Sequence, residues 1–174
     1  MKTRTEQILV VLNVLSWVVF IGLLIKAGAI LISYSVSLFN PEGAEDLYKG
    51  MNLSWLRQSS LWYYTTVVSS IAALLGMKAY TAFLVIKVLS KINLANPFTM
   101  EIALLVEKVS YFIAATWVVA VLTTTYSGWL QRSGEVWRSD ASSFEFLFLA
   151  GVIFVISQVF KRGIEIQADN ELTI

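Results

Sequence analysis

Long apolar stretches alternate with polar segments along the chain, and the alternation predicts its elements. The first stretch covers residues 8–38, broken only by Lys26 and small polar residues. The second covers 61–89 and contains Lys78 and Lys87; the third covers 102–126, with Glu107 and Lys108 near its start; the fourth and shortest covers 144–160. Crossing the hydrocarbon core of a bilayer takes about 20 apolar residues in a helix. Each stretch therefore predicts a transmembrane helix, and the first two are long enough to tilt or protrude into water. The expected fold is an all-α integral membrane protein, one domain over residues 1–174 built as a four-transmembrane-helix bundle. The first apolar stretch is too long for a signal-peptide core and has no small-residue cleavage site, so it predicts a retained span.

Basic residues near the span ends predict the orientation. Lys2, Arg4, Lys87, Lys91, Lys108, Lys161 and Arg162 fall on one side; Lys49, Arg57, Arg132 and Arg138 fall on the other. Seven against four places both termini and the central loop in the cytoplasm, giving an N-in/C-in protein of a cytoplasmic (inner) membrane. The two outer segments, 40–60 and 127–143, are rich in glycine and tryptophan. Trp55, Trp62, Tyr63, Tyr64, Tyr126, Trp129 and Trp137 are expected to form an aromatic belt, because these rings are apolar with a polar atom that reaches water. A face for an aromatic ligand is the alternative.

Composition narrows the chemistry. Hydrophobic residues make up 57% of the chain and charged residues 14%, with mean hydropathy +0.69. A soluble domain carries about 25% charged residues, so lipid is the expected solvent. The chain has neither cysteine nor histidine. That excludes disulfides, thiol chemistry and histidine acid–base catalysis, and removes the usual zinc ligands. A net charge of +1 offers no polybasic surface for direct nucleic-acid binding. No catalytic constellation or cofactor motif emerges, so the expectation is a non-enzymatic protein without cofactor or metal.

The central loop contains Asn96, Pro97, Phe98, Thr99, Met100 and Glu101. Asparagine before proline reads as a helix start, with Asn96 as cap, Pro97 in the first turn and Glu101 at the positive end of the dipole. A turn plus cap accounts for this loop; a docking site for a cytoplasmic partner is the alternative. Lys161 and Arg162 are expected to stop the fourth span at the phosphate layer. The tail beyond them, which includes Glu165, would lie against the central loop or await a partner.

Lys26 and Lys78 lie within spans, on opposite sides of the midplane and roughly 9 Å apart in depth at 1.5 Å per residue. A charge at such depth costs about 2.5–3.5 kcal/mol or more unless it snorkels, pairs or meets water. Lys26 and Lys78 are thus candidate ligands for an anionic molecule or lipid headgroup, with snorkelling as the alternative. Glu101 and Glu107 are placed to pair with Lys87. Hydroxyls at Thr65, Thr66, Ser69 and Ser70 and at Thr123, Thr124 and Thr125 suit interhelical hydrogen bonds. Ala72 and Gly76 form a small-x-x-x-small seam for close helix packing.

The run from Asn96 to Glu101, the stretch Phe146-Leu147-Phe148-Leu149-Ala150-Gly151, the segment from Phe160 to Ile166 and the ending Glu171-Leu172-Thr173-Ile174 resemble the bacterial membrane family catalogued as domain of unknown function 2975. The resemblance implies a small four-helix membrane protein of prokaryotes, commonly encoded beside a small helix-turn-helix regulator. It brings no catalytic residues. The functional expectation is a sensor or regulatory partner that presents a surface of Asn96, Pro97, Phe98, Glu101, Lys161, Arg162 and Glu165 to a cytoplasmic protein such as that regulator. The alternative is binding or transport of a small anionic or amphipathic molecule, or of an anionic lipid, at Lys26 and Lys78. A transporter this small would act as a homo-oligomer, and the chain shows no inverted repeat.

Overall fold

The computed structural model describes residues 4–94, 98–130 and 140–171. Among them all regular structure is helical: α1 (Arg4–Phe39), α2 (Ser54–Ser59), α3 (Leu61–Lys91), α4 (Met100–Leu130) and α5 (Phe144–Glu171), with 3-10 turns at Pro41–Ala44 and Asp140–Ser142. Four of these helices, α1, α3, α4 and α5, are long and apolar enough to cross a membrane. The most apolar 18-residue window of α1 has mean hydropathy 2.8, and none of it is buried. Val11, Val18, Ile25 and Ile32 are all more than half exposed. Such a surface would be an aggregation hazard in water, and it suits lipid as solvent.

α4 starts at Met100; Asn96 and Pro97, the expected helix start, lie outside the described residues together with Ala95. Thr99 caps it: its Oγ1 accepts from the Ile102 amide at 3.4 Å, and its carbonyl accepts from Ala103. A threonine hydroxyl satisfies a first-turn amide as well as the asparagine would. α5 runs on past Lys161 and Arg162, through Gly163 to Glu171; lysine and arginine are good helix formers, so the charges do not interrupt it.

The chain divides into two compact units. The first comprises Met1–Phe20, Tyr80–Ala115 and Ser143–Ile174. Its core joins Leu84, Val109, Ile113 and Ala150, with Tyr80, Phe112 and Phe146 packed around them. Tyr80 and Phe112 stack with centroids 4.6 Å apart.

The second unit comprises Ile21–Ala79 and Thr116–Ser142. Here the segment between α1 and α3 is a packed cap, not a free loop. Ala44, Leu47, Leu53 and Leu56 are buried with Ile30, Tyr64, Val67, Val68 and Ile71 in one cluster. Backbone bonds from Leu53 N to Ala44 O and from Leu47 N to Met51 O close the cap on itself. Gly43 sits so close to α1 that a Cβ there would lie 3.2 Å from the backbone of Ser37. Arg57 secures the end of α1, donating from Nε to Ser37 O at 2.6 Å and from Nη2 to Leu38 O at 3.2 Å. These carbonyls have no partner further along the helix, and a cation suits the negative end of the dipole.

The expected aromatic belt is only partly seen. Trp62 and Trp129 are exposed, whereas Tyr64 is completely buried and Trp55 and Tyr126 pack on the cluster; Trp137 lies outside the described residues. The ring of Tyr64 suits an interface, but its hydroxyl meets Ser37 Oγ at 2.6 Å. Ser37 already donates to the Tyr34 carbonyl, so Tyr64 is the donor. A satisfied hydroxyl lets the ring be buried. Of the expected hydroxyl bonds between helices, Thr65 Oγ1 meets Tyr34 OH at 3.0 Å, whereas Thr66, Ser70 and Thr123 donate to the carbonyl four residues earlier in their own helix. The Ala72–Gly76 seam is not filled: a Cβ on Gly76 would meet nothing within 4 Å.

Candidate functional site

In the first unit, the segment leading into α4 is fastened to α5. The Phe98 ring packs on Phe160, with centroids 5.2 Å apart and planes at 55°. One turn further on, a Cβ on Gly163 would come 3.3 Å from Cδ1 of Phe98. Glycine inside a helix costs about 1 kcal/mol relative to alanine; here it gives the ring its seat. Two of the sequence's motifs, distant along the chain, meet at this one contact.

A polar joint lies beside it. Glu107 Oε1 accepts from Lys161 Nζ at 2.8 Å, from Gln158 Nε2 at 3.2 Å and, weakly, from Tyr111 OH at 3.5 Å. The Glu107 and Lys161 side chains are 15% and 27% exposed, so this pair is mostly shielded. Across the central loop, Lys91 at the end of α3 pairs with Glu101 at the start of α4. Neither acid pairs with Lys87, contrary to the expectation. Lys87 instead sits over the Phe83 ring, 4.7 Å from its centroid. Four residues separate Phe83 from Lys87, one helical turn, so the ring is always within reach.

Among the candidate partner residues, Phe98 and Lys161 thus join helices to each other. Glu101, Arg162 and Glu165 point outwards, and Arg162 donates to Glu165 at 2.6 Å with both side chains exposed. Next to Lys91 opens a cleft of 840 Å³, lined by Glu6, Leu9 and Asn13 of α1 and by Leu89 to Leu94. Its lining mixes apolar and polar side chains. Gly163 and Gln158 were not singled out from the sequence, since only the approach of Phe98 and Glu107 gives them meaning.

In the second unit, Lys26 is half-buried, with its ammonium 5.4 Å from the centroid of the Tyr48 ring. Lys49 stands at the same distance from that ring. Lys49 has φ +48 and is followed by Gly50 at φ +83, a reversal braced by the Gly50 amide donating to Asp46 Oδ1 at 2.8 Å. A non-glycine residue in that region is uncommon. Tyr34 pairs with Thr65 and Ser37 with Tyr64, joining α1 to α3. Lys78, further along α3, is also half-buried. Among the described residues, no group of three or more acids converges to hold a metal ion.

Residues 41–174 match the family described as "Protein of unknown function (DUF2975)". No curated protein and no solved structure matches the chain.

Proposed function

We propose, on the premise that this chain belongs to the DUF2975 family of proteins of unknown function, that it is a non-enzymatic regulatory or sensory protein of the bacterial cytoplasmic membrane. It presents the surface formed by the central loop and α5 to a cytoplasmic protein. The observation that supports this reading is the seating of Phe98 on Phe160 and Gly163. A linker that only joins two spans has no need of a ring clamped to a third helix. Here any displacement of α5 moves the loop, and any ligand on the loop is felt by α5. Glu107 and Lys161 add a second tie between the same helices.

The outward Arg162, Glu165 and Glu101 and the neighbouring cleft offer a partner both charge and apolar surface. A small helix-turn-helix regulator is the partner class that the family resemblance suggests. The test is co-purification of the full-length protein, in mild detergent, with a small helix-turn-helix regulator of the kind that the family resemblance implies. Phe98→Ala and the charge reversal of Arg162 and Glu165 should each reduce capture by about tenfold, the effect of losing about 1.4 kcal/mol. Undiminished capture by both variants, each still folded, would refute this surface as the docking site.

A further inference from the structure

We infer that Lys26, Tyr48 and Lys49 form a binding site for the phosphate headgroup of an anionic phospholipid, in the leaflet that faces the cap between α1 and α3. Both ammonium groups stand 5.4 Å from the centroid of one ring, so they are at most twice that distance apart. A phosphodiester held between two ammonium groups spans about 8 Å when each charge-assisted bond is about 2.8 Å. The gap fits. Among the described residues neither lysine makes an ion pair, since the salt bridges join Lys91 to Glu101, Lys161 to Glu107 and Arg162 to Glu165.

The backbone also keeps this site in place. Lys49 occupies the left-handed region inside a braced turn, which directs its side chain back to Tyr48 instead of leaving it free on a loop. Backbone strain of this kind persists where the surrounding structure holds it, and it gathers at binding sites.

Lipid is favoured as the source of the phosphate because Lys26 rises from an apolar, exposed helix. One turn before it, Gly22 faces open space, and Leu24 and Ile25 are exposed beside it. A headgroup at Lys26 therefore has a bare apolar track for its acyl chains along α1. The level is right as well. Lys49 belongs to an exposed, charged segment with Glu45 and Asp46, which has no place in hydrocarbon. The choice of leaflet rests on the proposed topology; the site itself does not.

The test uses the full-length protein in mild detergent, offered phosphatidylglycerol or phosphatidylcholine, with bound lipid counted by native mass spectrometry. Lys26→Met removes the charge and keeps an unbranched side chain. Lys49→Asn removes the charge and keeps a residue that tolerates positive φ. Each should lower phosphatidylglycerol retention roughly fivefold, the effect of one basic residue at an anionic surface, and the double variant should lower it further. Lys87→Met, a lysine over a ring in the other unit, is the control for the loss of one charge and should lower retention less than either.

Wild-type retention by the double variant would overturn the site, and so would an equal loss in Lys87→Met. Displacement of the lipid by inorganic phosphate would overturn the lipid assignment. If Lys26→Met does not fold, Lys49→Asn on the exposed cap decides alone. Regulator capture is measured on the same variants and should be unchanged, so failure of the proposed docking surface and failure of this site give different results.

Discussion

At the scale of single residues, two glycines that look alike in the sequence are under opposite constraints. Gly43 lies in the 3-10 turn, where a methyl group would press to 3.2 Å against the Cα and N of Ser37. Backbone cannot give way as a side chain can, so Gly43→Ala should destabilise by about 1–3 kcal/mol. Gly76 lies inside α3 with open space around it, so Gly76→Ala should be neutral or stabilise by up to about 1 kcal/mol through helix propensity. Thermal unfolding of both variants in one detergent checks the contrast. Equal effects would mean that the close approach of Gly43 to α1 is wrong. Had Gly76 served as the packing seam expected of it, the same substitution would do harm.

At the scale of elements, side chains at helix ends tie the described helices together. Arg57 reaches from α2 to the last carbonyls of α1. Arg57→Met keeps most of the apolar stem and removes both charge-assisted bonds. A loss of about 1.5–3 kcal/mol is expected, together with faster proteolysis within residues 40–60. Unchanged cleavage in that segment would show that the cap holds without the arginine.

The joint between α4 and α5 predicts an order of effects as well as a size. Lys161→Met leaves Glu107, 15% exposed, with only Gln158 and Tyr111 as donors. Glu107→Gln leaves Lys161, 27% exposed, on a long stem that can reach water. The lysine variant should therefore be the less stable, with both losses about 1–3 kcal/mol. The double variant should fall short of their sum by about 0.5 kcal/mol or more. Strict additivity in denaturant unfolding would mean that the pair is not coupled.

For the whole molecule, the proposed orientation rests on the basic residues, seven on the side of the central loop against four on the other. Single cysteines in a chain that has none can be placed at Ser90 and at Gly50 and exposed to an impermeant maleimide in intact cells. Gly50 should label and Ser90 should be protected until the membrane is opened. The reverse pattern would invert the topology, and with it the leaflet assigned to Lys26, Tyr48 and Lys49.

The sequence by itself determined the helices and their solvent. Four apolar runs, each near or beyond the length that spans a bilayer, leave the backbone no alternative to a helix, because every amide in lipid must be satisfied within its own segment. The end of α3 at Lys91 and the start of α4 beside Glu101 were legible too, because charge acts locally on a helix end. What only the tertiary structure decided was which polar groups meet. Phe98 finding Gly163, Glu107 choosing Lys161 over Lys87, and Lys26 sharing a ring with Lys49 are contacts between residues far apart in the chain. No local periodicity encodes such partners. They depend on how far each helix runs past its span and on a cap where Gly50 marks a turn but does not announce that Lys49 enters the left-handed region before it. Local chemistry fixes where a helix can lie, and only packing decides which side chain it faces.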